Sequence, residues 1–218
     1  MTSVDERATA GDEVRSVSAE RLTFFSDAVV AIAMTLLALD LPVPEGRGNA
    51  EALHSLREHT NGYLSFLISF VVIAGHWFGH HRVFAHVTSL GGRLIRWNTL
   101  WLLTIVLIPF ATRTLTGDGA FQVRFIMYAL VQAFAGLFFL MMLRTVTRYG
   151  LLEADTPPEV IRTSYARIFV MTGAFLLSIP VSFLTHWAYV CWAAIPLAVR
   201  GFLLLGSRRA ARREAAAR

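Results

Sequence analysis

Residues 21–40 read Arg21-Leu22-Thr23-Phe24-Phe25-Ser26-Asp27-Ala28-Val29-Val30-Ala31-Ile32-Ala33-Met34-Thr35-Leu36-Leu37-Ala38-Leu39-Asp40. Between Ala28 and Leu39 the only polar side chain is Thr35. Pro42-Val43-Pro44 follows at once and stops a helix. An apolar run of about 20 residues is the length that crosses a bilayer as a helix. Five more runs of this kind follow: Gly62–Phe84, Leu94–Ala111, Phe121–Leu143, about Ser164–Phe183 and about Trp187–Leu205. The chain therefore reads as an all-α, polytopic membrane protein with six transmembrane helices. Composition agrees. Of 218 residues, 55% are hydrophobic and 16% charged, against about 25% charged in soluble domains. A soluble enzyme is excluded on that ground.

All 20 basic residues are arginine. The absence of lysine excludes Schiff-base chemistry and a phosphate-binding loop that ends in Gly-Lys. The single cysteine, Cys191, excludes an intrachain disulfide and a cysteine-rich metal site. With six spans and the N-terminus inside, only Arg47, Arg57, Arg113 and Arg124 fall outside, and 16 arginines face the cytoplasm. This asymmetry places both termini in the cytoplasm. The net charge of +5 then reports membrane topology rather than nucleic-acid binding. Residues 1–20 are expected to form a flexible, polar cytoplasmic leader and 21–206 the membrane domain. Residues 207–218 are expected to form a basic tail, either beside anionic lipid or as a solvated helix end. Residues 45–61, with Leu53 and Leu56 at helical spacing, are expected to include a short interfacial helix.

A carboxylate inside a span is costly and is normally paired or faces water. Asp27 has three partner classes open to it: Arg21, six residues earlier, or a histidine or asparagine of a neighbouring span. Ser26 and Asp27 lining an inner vestibule is the other reading. Ile32, Thr35 and Leu39 lie at i, i+3 and i+7, with Leu36 beside them, and share one helix face. Such a stripe serves helix packing or lines a path through a bundle.

The run Arg21-x-x-x-Phe25-Ser26-Asp27, with the apolar segment after it, resembles the first helix of the transmembrane protein 175 family. Trp77-x-x-His80-His81-x-x-Phe84 in the second span is similar to the family's W-x-x-H-H-x-x-F. Trp97-Asn98 and Pro109-Phe110-Ala111-Thr112 in the third are similar to its W-x-N and P-F-x-T elements. The resemblance implies a potassium-preferring cation channel in the bacterial inner membrane. This chain, a single six-helix unit, would assemble as a homotetramer with the first helix lining a central pore. Ile32 would form the constriction, Leu36 and Leu39 further apolar layers, and Thr35 a polar lining for potassium ions. Arg21, Phe25, Ser26 and Asp27 would knit the cytoplasmic ends of the first three spans together with Trp77, His80, His81 and Asn98. Asp40 either is a solvated helix end before Pro42 or, in four copies at the outer end, would concentrate cations. No cofactor is implied, and no T-V-G-Y-G filter is present.

His76, His80 and His81 lie at i, i+4 and i+5, a spacing similar to one histidine box of a membrane di-iron oxidase. Such sites use about eight histidines; this chain has seven, of which His86 follows just beyond the span and three are scattered elsewhere. A metal enzyme is set aside, and no metal ligands are assigned. A secondary transporter of a small solute or ion is the competing class. Transporters often show inverted repeats and broken helices; no repeat is visible, and only Pro180 and Pro196 sit well inside spans.

Overall fold

Apolar helices must satisfy every backbone hydrogen bond within themselves when the solvent is lipid, and the architecture follows from that. The structure is a computed structural model that describes residues 2–117, 119–192 and 194–198, with side chains described from Val17 onward except His186. Its helices are α1 (Thr2–Leu39), α2 (Asn49–Glu58), α3 (Thr60–Phe84), α4 (Gly92–Thr116), α5 (Phe121–Arg148) and α6 (Pro158–Ser182). A short 3-10 turn, His186–Tyr189, follows. Among the described residues no strand forms; one isolated bridge pairs Val87 with Leu152. The expected all-α class is what is observed.

Five helical segments are long and apolar enough to cross a membrane: Val17–Leu39, α3, α4, α5 and α6. A further apolar helical stretch, Trp187–Ala198, leads toward the expected sixth span, whose end at Leu205 lies outside the described residues, as does the tail 207–218. The helices outrun the apolar runs that define them. A helix of 25 residues spans about 37 Å, longer than the hydrocarbon core of about 30 Å, so polar ends such as Arg113 to Thr116 and Arg144 to Arg148 continue the helix past the lipid. The leader differs from expectation in the same way. Residues 2–20 continue α1 as helix rather than forming a flexible segment. Alanine, glutamate and arginine favour helix, and a helix already nucleated by the span propagates at little cost. The expected interfacial helix is α2, joined to the end of α1 where the Ser55 hydroxyl accepts from the Glu45 backbone N–H at 3.1 Å.

α4 lies between α1 and α5, and α6 lies on the far side of α5 and also reaches α3. Half of the most apolar stretch of α4 and of α5 is buried, against 22% for α1 and α6 and 11% for α3. α4 and α5 therefore form the centre, and α1 packs against α3 and α4. Trp101, Phe125, Tyr128 and Ile105 fill the centre. Trp192 stacks between Phe125 and Tyr128, at 5.0 and 4.9 Å, and its indole N–H donates to Ser178 Oγ at 2.8 Å. Lipid tails are as apolar as leucine, so helix association rests on close packing and on polar contacts across helices. Thr112 Oγ1 donates to Ser69 Oγ at 2.7 Å, and Ser69 Oγ lies 3.1 Å from the Tyr128 hydroxyl.

The turn after α5 needs a left-handed residue, and Gly150 supplies it at φ 59°. Leu151 N–H then closes onto the Val146 carbonyl at 3.0 Å. This delivers Leu151 to the α3–α4 loop, where its carbonyl accepts from Thr88 N–H at 3.0 Å. The two loops are stitched together at the same end of the bundle as the site described next.

Candidate functional site

The site begins with the two faces of α1. Ala19, Ser26, Val30, Ala33 and Leu37 are buried. Their spacings of three, four and seven residues make one stripe, and the small side chains let α3 and α4 approach. On the opposite side Arg21, Phe25, Ala28, Ile32, Thr35, Leu36 and Leu39 are all exposed. Exposure reaches 59% for Ile32 and 78% for Leu39, with Leu36 at 38%. These apolar side chains contribute little to the chain's own core. Thr35 donates its hydroxyl proton to the Ile32 carbonyl at 2.8 Å, which leaves the oxygen lone pairs free on the exposed face.

The buried stripe is pinned by a chain of polar side chains. His80, Asn98 and Ser26 are each fully buried. Asn98 Oδ1 lies 2.9 Å from His80 Nε2, so that nitrogen carries the proton and donates. Asn98 Nδ2 donates to Ser26 Oγ at 2.9 Å, and Ser26 donates to the Leu22 carbonyl at 2.8 Å. One directed chain thus joins α3, α4 and α1. The His80 ring is held flat between Trp101, at 4.5 Å and 6°, and Phe84, at 3.9 Å. Beside this chain, Asp27 Oδ1 accepts from the Trp77 indole N–H at 2.9 Å. His81 stacks on Trp77 at 5.5 Å.

Asp27 is bonded neither to Arg21 nor to a histidine or asparagine. Six residues along a helix place Arg21 and Asp27 about 120° apart, so Arg21 falls on the exposed stripe with Phe25 and Ile32, and Asp27 on the flank facing α3. Phe25 is likewise exposed rather than wedged between helices. His81 enters through its ring face and not through a hydrogen bond to the motif. Asp40 lies 3.4 Å from Arg113 of α4, so its charge is offset within the chain.

Sequence reasoning passed over Trp101, Ser69 and Gln132. Trp101 follows Asn98 at i+3, and Ser69, His76 and His80 fall at i, i+7 and i+11, so helical spacing alone groups them on their faces. Gln132 of α5 bonds His76 through Oε1 at 3.2 Å. Among the described residues no group of histidine, cysteine, aspartate and glutamate is placed to hold a metal. His76 and His80 are instead each bonded to a side-chain amide.

Residues 21–109, the stretch that holds both stripes and the polar chain, match the family model described as the endosomal/lysosomal potassium channel TMEM175. A potassium channel of Streptomyces collinus is 30% identical over 190 residues, which cover 85% of this chain and 89% of that one. The endosomal/lysosomal proton channel TMEM175 of Gallus gallus is 39% identical over 103 residues, 44% of this chain and 21% of that one. Among solved structures, a lysosomal potassium-selective channel TMEM175 homolog from Chamaesiphon minutus superposes with a TM-score of 0.69 at 27% identity, covering 84% of this chain and 98% of that one.

Proposed function

Because the chain belongs to the TMEM175 family, we propose that it is a potassium-preferring channel that conducts passively through a homotetrameric pore lined by α1. The observation that carries this reading is the division of α1 into a pinned face and a bare one. Ser26, Val30, Ala33 and Leu37 pack inward, and Ile32, Leu36 and Leu39 are left uncovered by the rest of the chain. Four copies arranged around an axis turn that bare face toward a shared central path. Ile32 then forms an apolar ring that gates by dewetting, with Leu36 and Leu39 as layers beyond it. Thr35, whose proton is engaged by the Ile32 carbonyl, offers four hydroxyl oxygens toward a permeating cation.

The polar chain sets the geometry of this pore. Ile32 lies about 9 Å along the helix from Ser26. Fixing Ser26 through Asn98 and His80, and Asp27 through Trp77, fixes the level and rotation at which Ile32 meets the axis. In this reading Arg21, Phe25, Ser26, Asp27, Trp77, His80, His81 and Asn98 are positioning residues of the cytoplasmic end. The 16-to-4 arginine asymmetry supports six spans with both termini inside, and the similarity to bacterial potassium channels supports a bacterial inner-membrane location. Passive conduction needs no turnover chemistry, and the named relatives are channels.

The experiment is flux from liposomes that contain the purified full-length chain and an outward potassium gradient. Flux driven by the potassium gradient alone, and larger for potassium than for sodium, is expected. Flux that requires a second solute gradient and saturates contradicts the channel and identifies a coupled transporter.

A further inference from the structure

Between α3, α5 and α6 lies a groove of about 1000 Å³, the upper end of the usual range of about 300–1,000 Å³ for ligand sites. Its wall is mainly apolar and runs from Val71 past Phe139 to Phe175 and Trp192. Arg82 and Arg167 line the same groove, and no carboxylate does. Among the described residues neither arginine has an acidic partner, and the two repel one another. A terminal guanidinium nitrogen of Arg167 lies 3.2 Å from where a Cβ on Gly75 would sit. Of the Gly75-x-x-x-Gly79 pair, whose spacing invites a close helix contact, Gly75 leaves room for this guanidinium and Gly79 faces Phe139 of α5.

An arginine inside a span is costly and takes a partner. Two further polar groups along this wall want one as well: Gln132 Nε2 and Thr172 Oγ1 are buried without a hydrogen-bond partner. Gln132 is only 1% exposed. A groove with paired guanidinium groups, unfilled polar positions and a long apolar wall matches an anion that carries hydrocarbon. We propose that it binds an anionic phospholipid, with the phosphate between Arg82 and Arg167 and an acyl chain along Val71, Phe175 and Trp192. A bare phosphate leaves the apolar wall unused. The chain's own tail, with five arginines and one glutamate in residues 207–218, carries the wrong charge.

The test is native mass spectrometry of the full-length oligomer titrated with phosphatidylglycerol and, separately, with phosphatidylcholine. Its readout is binding and does not depend on conduction. Phosphatidylglycerol is expected to bind more tightly than phosphatidylcholine. Arg82→Gln with Arg167→Gln is expected to weaken phosphatidylglycerol roughly thirtyfold, each basic residue being worth about fivefold at an anionic headgroup, and to leave phosphatidylcholine unchanged. If that double variant fails to assemble, Val71→Trp decides the matter by narrowing the groove with both arginines retained, and it too is expected to lose the lipid. Equal binding of the two lipids overturns the proposal. So does full retention of phosphatidylglycerol by an assembled variant, or a groove closed to both lipids by a second copy of the chain.

Discussion

Replacing Asn98 with leucine breaks the directed chain at its centre. Leucine keeps the branched shape but removes the acceptor for His80 Nε2–H and the donor to Ser26 Oγ, each bond being 2.9 Å long. Both lost partners are fully buried, and the stack between Trp101 and Phe84 keeps the His80 ring from turning toward another acceptor. Interhelical hydrogen bonds in membrane proteins average about 0.6 kcal/mol and reach about 1.7, so two of them amount to about 1.2 to 3.4 kcal/mol. At about 2–4 °C per kcal/mol for a chain of this length, the melting temperature falls by about 2 to 14 °C. The assay is thermal unfolding of the purified oligomer followed by intrinsic tryptophan fluorescence, with Ser26→Ala as the second arm of a double-mutant cycle. Ser26 reaches α4 only through Asn98, so Ser26→Ala is expected to cost clearly less in the Asn98→Leu background than in the native chain. An unchanged melting temperature for Asn98→Leu, or strictly additive effects, refutes the directed chain.

Three further outcomes follow from the same structure. Ile32→Asn wets the proposed constriction and is expected to raise potassium flux in liposomes with assembly unchanged by gel filtration; native flux moves the constriction elsewhere. Asp40→Asn is expected to leave current nearly unaltered in bilayer recordings, since Arg113 already offsets that charge and exposed ion pairs contribute little; a large loss of current places an uncompensated carboxylate in the conduction path. Gly150→Ala forces a left-handed conformation at φ 59° on a residue with a Cβ, at about 1–2 kcal/mol. It is expected to lower the melting temperature by about 2 to 8 °C without altering the cation preference, and an unchanged melting temperature argues against that turn.

The parts of this molecule legible from sequence are those governed by short-range periodicity. The stripe from Ile32 to Leu39 depends only on helical spacing and appears on one face of α1, and α1 ends at Leu39, just before the proline at 42. The pairing of Asp27 was not legible, because its donor, Trp77, lies 50 residues away and is brought near by the approach of α3 to α1. Proximity in sequence pointed to Arg21, but helical rotation turns that residue away. Asp40 shows the same effect, since Arg113 is 73 residues distant and only the parallel approach of α4 to α1 joins them. Helix ends were underestimated because hydropathy marks where lipid begins and not where backbone hydrogen bonding stops. The groove beside Arg167 was hidden because a glycine such as Gly75 suits equally a close helix and a guanidinium.

The central claim is that the bare face of α1 faces the permeation path. It is tested most directly by placing single cysteines along α1 in a Cys191→Ser background and measuring potassium flux before and after a charged thiol reagent. Modification is expected to change flux at positions 32, 35 and 39 and to leave it unchanged at 30, 33 and 37. The opposite pattern, or sensitivity without helical period, contradicts the account.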